Sequence, residues 1–114
     1  MTYLVEERGD VVVVSPHGEL DAETSTDFQD QVDELLKAGW RYFVIDLHKV
    51  PFVDSSGLSA LVRLYKRVRM GEGDVGLAQV PPNLMKILQL TRLSRVFDIF
   101  PTAEEAATSI KQKH

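Results

Sequence analysis

Tyr42-Phe43-Val44-Ile45-Asp46-Leu47, six loop residues, and then Asp54-Ser55-Ser56-Gly57-Leu58 form the stretch from which the fold is read. Six mostly apolar residues in a row predict a strand covered on both faces. Asp54 and the two serines are good capping residues, so a helix is expected to begin there. Leu58, Leu61, Val62, Tyr65 and Val68 recur at helical spacing, and Met70-Gly71 closes the run. A buried strand followed by a loop and an amphipathic helix is half of a parallel crossover unit.

Working outward, the same alternation continues on both sides. Residues 3–7 and 11–17 read as two strands joined by Arg8-Gly9-Asp10, which makes a hairpin. Val11 to Val14 are apolar without a break, as in a strand sandwiched between layers. Phe28, Val32, Leu35 and Leu36 share one helical face, with Thr24 or Ser25 as cap and Gly39 just past the end. Residues 75–80 read as a further strand. Pro81-Pro82-Asn83 opens a helix carrying Leu84, Ile87 and Leu88. Residues 97–100 read as a last short strand, and Thr102-Ala103-Glu104-Glu105 is a capping box before Ala106, Ala107 and Ile110. The expected fold class is therefore α/β: a mixed, mostly parallel sheet with an N-terminal antiparallel hairpin and about four helices. In such sheets the functional surface lies beyond the carboxyl ends of the strands, which points to the loop after Leu47.

Composition bounds the function. A chain of 114 residues is one domain, expected over residues 1–114. Its folded surface should be roughly 6,300 Å², about a third of that of the unfolded chain. Net charge is −4, so the basic footprint of a nucleic-acid binder is missing. Arg63, Lys66, Arg67 and Arg69 form a local run spread over the polar side of a helix; a patch for an acidic partner is the other reading. No apolar run is long enough to span a bilayer, and acids stand where a signal peptide would be apolar. A cytoplasmic protein is expected. There are no cysteines, so thiolate zinc sites and thiol catalysis are excluded. His17, His48 and His114 show no metal-ligand spacing, and no metal or cofactor is expected. Hydrolase elbows, dinucleotide fingerprints and phosphate-binding loops are absent.

Asp54-Ser55-Ser56-Gly57-Leu58, preceded by the Asp46-containing strand, resembles the signature of the STAS domain, most closely in the stand-alone bacterial anti-sigma-factor antagonists. Gly18-Glu19-Leu20-Asp21 and the later Leu88-Gln89-Leu90-Thr91-Arg92-Leu93 with Val96-Phe97 resemble the same family, in order and at matching spacing. The resemblance implies a regulatory binding module and not an enzyme. Its unphosphorylated form would bind an anti-sigma-factor serine kinase, which carries the ATP, and so release the sigma factor for transcription. Phosphorylation would switch it off, and a PP2C-type phosphatase would restore it.

By the same resemblance Ser55 is the phosphate acceptor, although the residues alone do not separate Ser55 from Ser56. Asp21, Asp54, Ser55, Ser56 and Gly57 are the expected partner-binding residues. Asp54 is expected to hold the loop by accepting backbone N–H bonds, Ser56 to cap the helix, and Gly57 to admit a partner's backbone or relax the first turn. Asp21 is either an acidic partner contact or a cap for the first helix. The alternative is a constitutive STAS adaptor, such as an accessory subunit of a lipid-transport ATPase, in which Ser55 only caps. Two departures from the family pattern stand out. Ser59 replaces a second glycine, and Arg92 replaces a glycine whose position would strain arginine if it needs a positive φ.

Overall fold

The computed structural model describes residues 1–113. His114 lies outside the described residues, and with it that part of the histidine reading. The strands are β1 (Thr2–Arg8), β2 (Val11–His17), β3 (Tyr42–Asp46), β4 (Asp74–Ala78) and β5 (Asp98–Phe100). The helices are α1 (Ser25–Lys37), α2 (Ser55–Met70), α3 (Pro82–Leu90) and α4 (Ala103–Lys113), with a 3-10 turn at Leu93–Arg95. The five strands form one sheet in the order β1-β2-β3-β4-β5. β1 and β2 pair antiparallel; every later pair is parallel. The surface area, 6296 Å², matches the size expected from chain length.

Strand periodicity explains why the valine run is unbroken. Val12 and Val14 face α1, α2 and α3, meeting Phe28, Val32, Leu61, Leu64, Leu84 and Leu88 together with Phe43, Ile45, Val75 and Leu77. Val11 and Val13 face the other way and pack with Val44 and Ala78 against Ala106, Ala107 and Ile110 of α4. Both faces of β2 are thus covered by helices over Val11 to Val14, which is the physical reason that no polar residue interrupts that run. β1 is covered less, and its Tyr3 leans onto Phe28 with ring centroids 6.4 Å apart. The Tyr3 hydroxyl donates to Asp27 at 2.9 Å. Burial, then that bond and charge, push its ionisation above the ordinary tyrosine range.

Element boundaries shift by a residue or two from the sequence reading, with the core faces unchanged. Gly9 takes φ 63 in the two-residue hairpin turn, and Gly39 takes φ 102 just past α1. Thr102 accepts from the Glu105 N–H at 3.1 Å, the first half of the expected capping box. The cap of α1 differs from expectation. Thr24 occupies the cap position but its side chain makes no capping bond. Its hydroxyl donates instead to the Glu19 carbonyl at 2.7 Å and accepts the Asp21 N–H at 3.0 Å. The loop ahead of the helix has taken the group that would have capped it.

Arg92 adopts φ 64, ψ 13, the left-handed conformation in which glycine is unstrained. Relieving that strain, worth roughly 1–2 kcal/mol, outweighs the roughly 0.5–1 kcal/mol of extra chain entropy that glycine loses on folding. Arg92→Gly is expected to stabilise the domain by about 0.5–1 kcal/mol and raise Tm by about 3 °C, read by thermal melting.

Candidate functional site

Three connections leave the carboxyl ends of β2, β3 and β4 on the same side of the sheet, and two of them are stitched together by their backbones. The Gly18 N–H donates to the Lys49 carbonyl at 3.0 Å, and the Leu20 N–H to the Phe52 carbonyl at 3.1 Å. The Asp54 N–H returns a bond to the Leu20 carbonyl at 3.0 Å. Leu20 and Val53 form an isolated parallel bridge, and both side chains are fully buried. Asn83, at the start of α3, ties in the third connection: its Nδ2 donates to the Val53 carbonyl at 3.0 Å. The loop that carries Asp21 is thereby held against the loop that delivers Ser55.

Asp54 is the N-cap of α2. Its backbone is extended, and its Oδ1 accepts the Gly57 N–H at 3.0 Å. Ser55 is the first helical residue and is exposed; Ser56, the second, is half-buried. Ser56 was expected to cap, but the aspartate one residue before the serines reaches the first-turn amide, so Ser56 stands inside the helix. The amides of Ser55 and Ser56 belong to the first turn, where no intrahelical carbonyl reaches them, and the positive end of the helix dipole lies here.

Gly57 requires a correction. It was expected to admit a partner's backbone or to relax the first turn; the first of these does not hold, since it is buried against its own chain. A Cβ at this position would stand 2.5 Å from the Leu20 carbonyl oxygen and 2.8 Å from both Leu20 Cβ and Val53 Cγ1. The glycine admits the Leu20 strand to the base of α2, so its task is to position the other residues.

Asp21 is half-buried, and its Oδ1 accepts the N–H groups of Glu23 and Thr24 at 2.9 and 3.1 Å. It therefore organises the turn before α1 while its segment runs beside Asp54. Glu19 and Glu23 are exposed in the same segment. Four carboxylates in two adjoining segments make the surroundings of Ser55 acidic, with the exposed ring of Phe52 next to them. Asp21, Asp54, Ser55 and Ser56 thus come together at one rim, and Gly57 lies beneath it. Asn83 stands in the sequence reading only as part of a helix start; its bond to Val53 spans thirty positions and is set by the sheet, whereas Thr24, read as a cap, holds the rim through bonds within its own loop.

His17 and His48, scattered in the sequence, line one cleft with Asp46 and Lys49 on the α4 side of the sheet. Among the described residues no three His, Cys, Asp or Glu side chains are placed to hold a metal ion. No helix among them is long and apolar enough to cross a membrane.

The cap gives a direct test of what Asp54 does. Asp54→Ala should cost about 1 kcal/mol and lower Tm by about 4 °C, because the Gly57 amide loses its acceptor. Asp54→Asn keeps the acceptor oxygen and should melt like the wild type, which separates capping from charge.

The family model described as the STAS domain matches residues 2–106. An anti-sigma F factor antagonist of Paenibacillus polymyxa is 28% identical over 108 residues, covering 94% of this chain and 92% of the relative. The crystal structure of an anti-sigma factor antagonist from Mycobacterium paratuberculosis superposes with a TM-score of 0.86 at 31% identity, covering 96% of this chain and 93% of that one. The Bacillus cell fate determinant SpoIIAA in its phosphorylated form aligns with a TM-score of 0.76 at 21% identity, over 96% and 99% of the two chains, which is a likeness of fold.

Proposed function

The chain belongs to the STAS domain family, and on that premise we propose that it is an anti-sigma-factor antagonist switched by phosphorylation of Ser55. The observation that carries this reading is an exposed hydroxyl on the first residue of α2, held beside the Asp21 turn by the Leu20–Val53 bridge. The unphosphorylated rim docks an anti-sigma-factor serine kinase that brings its own ATP, and the sigma factor is freed. A PP2C-type phosphatase resets the switch. The 114 residues work as one binding domain in the cytoplasm and perform no chemistry of their own.

Magnitudes decide how the switch operates. A phosphate adds about −1.5 to −2 charge at pH 7. At the start of α2 it meets free amides and the favourable end of the helix dipole, worth roughly 0.3–1 kcal/mol, so the fold tolerates it. A partner that covers the rim would instead have to bury that charge beside Asp21 and Asp54 without a counter-ion, at a cost of several kcal/mol. About 2.8 kcal/mol already lowers affinity a hundredfold. Exclusion of the partner by charge is sufficient, and no change of fold is needed.

The test is to incubate the protein with ATP and the serine kinases encoded by the same genome and to locate the phosphate by mass spectrometry. Phosphate on Ser55, lost in Ser55→Ala while kinase binding is retained, supports the reading. Stable docking to a transporter subunit, with no phosphate on Ser55, would replace it by the constitutive adaptor.

A further inference from the structure

We propose that the docking surface continues from Ser55 down the outer face of α2, and that its far half receives an acidic segment of the kinase bearing an apolar side chain. This rests on the reading of Ser55 above and extends it. Ser55, Leu58, Ser59 and Val62 follow one another at i, i+3, i+4 and i+7, so they share one face of α2. Leu58, Ser59, Val62, Arg63 and Lys66, with Leu93 from the 3-10 turn, line an open groove of about 400 Å³. Leu58, Val62 and Leu93 are each half-buried, so the groove has an apolar floor that water still reaches.

Its far rim is basic, and the charges there are unspent. Arg67 pairs with Asp33 and Arg69 with Asp74. Arg63 and Lys66, the two that line the groove, are exposed and take part in no ion pair among the described residues. Other cations, among them Lys49, Lys86, Arg92 and Arg95, are in no ion pair among the described residues either, but Arg63 and Lys66 are the two that line this apolar groove. Lys66 lies eleven residues beyond Ser55, about 16 Å along the helix axis. The surface therefore runs from carboxylates through the Ser55 hydroxyl and an apolar floor to two free cations. A partner that fits it presents a cation to Asp21, an apolar anchor to Leu58, Val62 and Leu93, and carboxylates to Arg63 and Lys66. Such opposed charges fix the register of docking and speed encounter. The two ends have separate tasks: the Ser55 end is switched by phosphate, while the Lys66 end stays attractive in both states.

The experiment measures the affinity of the full-length protein for its kinase at low and moderate ionic strength. Lys66→Glu with Arg63→Glu should weaken binding about tenfold or more at low salt, and the deficit should shrink as salt screens the pairs. Tm should not move, since both side chains are exposed and unpaired. Lys111→Glu, on α4 across the sheet, makes the charge change of either single variant and should bind like the wild type. Excess kinase should still phosphorylate Ser55 in the double variant. If the double variant binds like the wild type while Ser55→Asp does not, the groove is no part of the interface and only the Ser55 reading stands. If the wild type neither binds a kinase nor is phosphorylated, the Ser55 reading falls and this extension with it. Self-association that is abolished by the double variant would make a second copy of this chain the occupant, and would overturn the proposal.

Discussion

Ser55→Asp is expected to weaken binding of the cognate kinase by about 30-fold or more while Tm stays within about 3 °C of the wild type. Both halves follow from where the side chain stands. It is exposed on the first turn of α2, so a carboxylate there is still solvated in the free protein and sits near the positive end of the helix. The neighbouring Asp21 and Asp54 oppose that gain, and the two effects nearly offset one another. Docking removes the water. The new carboxylate is then buried in a rim that already holds Asp21 and Asp54, and about 2 kcal/mol of uncompensated charge is enough for the stated loss. Titration calorimetry alongside a melting curve reads the two quantities. Tight binding by Ser55→Asp would rule out charge exclusion, whatever the fate of Ser55 with ATP. A large fall in Tm would show that the position is structural.

Gly57→Ala is expected to destabilise the domain by about 2 kcal/mol, lower Tm by about 8 °C, and weaken kinase binding by displacing the Leu20 segment. Helix propensity alone predicts the reverse, because alanine within a helix is better than glycine by about 1 kcal/mol. The clash decides the sign. The nearest atom to the new methyl is a backbone oxygen, that of Leu20, at 2.5 Å, and it cannot rotate aside as a flexible side chain would. Relief requires the Leu20 segment to move off α2, which breaks the bond from the Asp54 N–H and carries Asp21 away from Ser55. Overpacking of this kind costs about 3 kcal/mol or more and overrides the propensity gain. Chemical denaturation gives the stability change. Amide exchange at Leu20 and Asp54 should rise together, because each depends on the same pair of strands. A stabilised Gly57→Ala would mean that the two loops are not packed as described.

Much of this was legible in the chain. The valine run at residues 11–14 and the strand that begins at Tyr42 could be read because the middle of a strand covered on both faces is apolar on successive residues, polar groups such as Asp46 standing at its end. Helices α1, α2 and α3 showed themselves by apolar spacing, and Arg92 drew attention because a turn that favours glycine held arginine; its φ of 64 gives the reason. The cap of α1 was misread, since Thr24 has the right chemistry for a cap and the bonds that engage it come from Glu19 and Asp21. For Gly57 the sequence offered a partner's backbone or a relaxed first turn, and what it admits is its own chain. Its neighbour is Leu20, thirty-seven positions away, and nothing near Gly57 in the chain announces it.

Local order, core faces, the acidic balance and the hydroxyl at the mouth of α2 were therefore written in the residues, because periodicity and capping act over a few positions. What brought Asp21 beside Ser55 was the parallel pairing of β2 with β3, which set their following loops side by side and let Leu20 bridge to Val53. Sheet closure likewise delivered Asn83 to Val53, and the chain's turn after α3 delivered Leu93 to the groove beside Lys66. Contacts of that kind depend on which strands lie next to one another, and that is decided by burying the whole core at once.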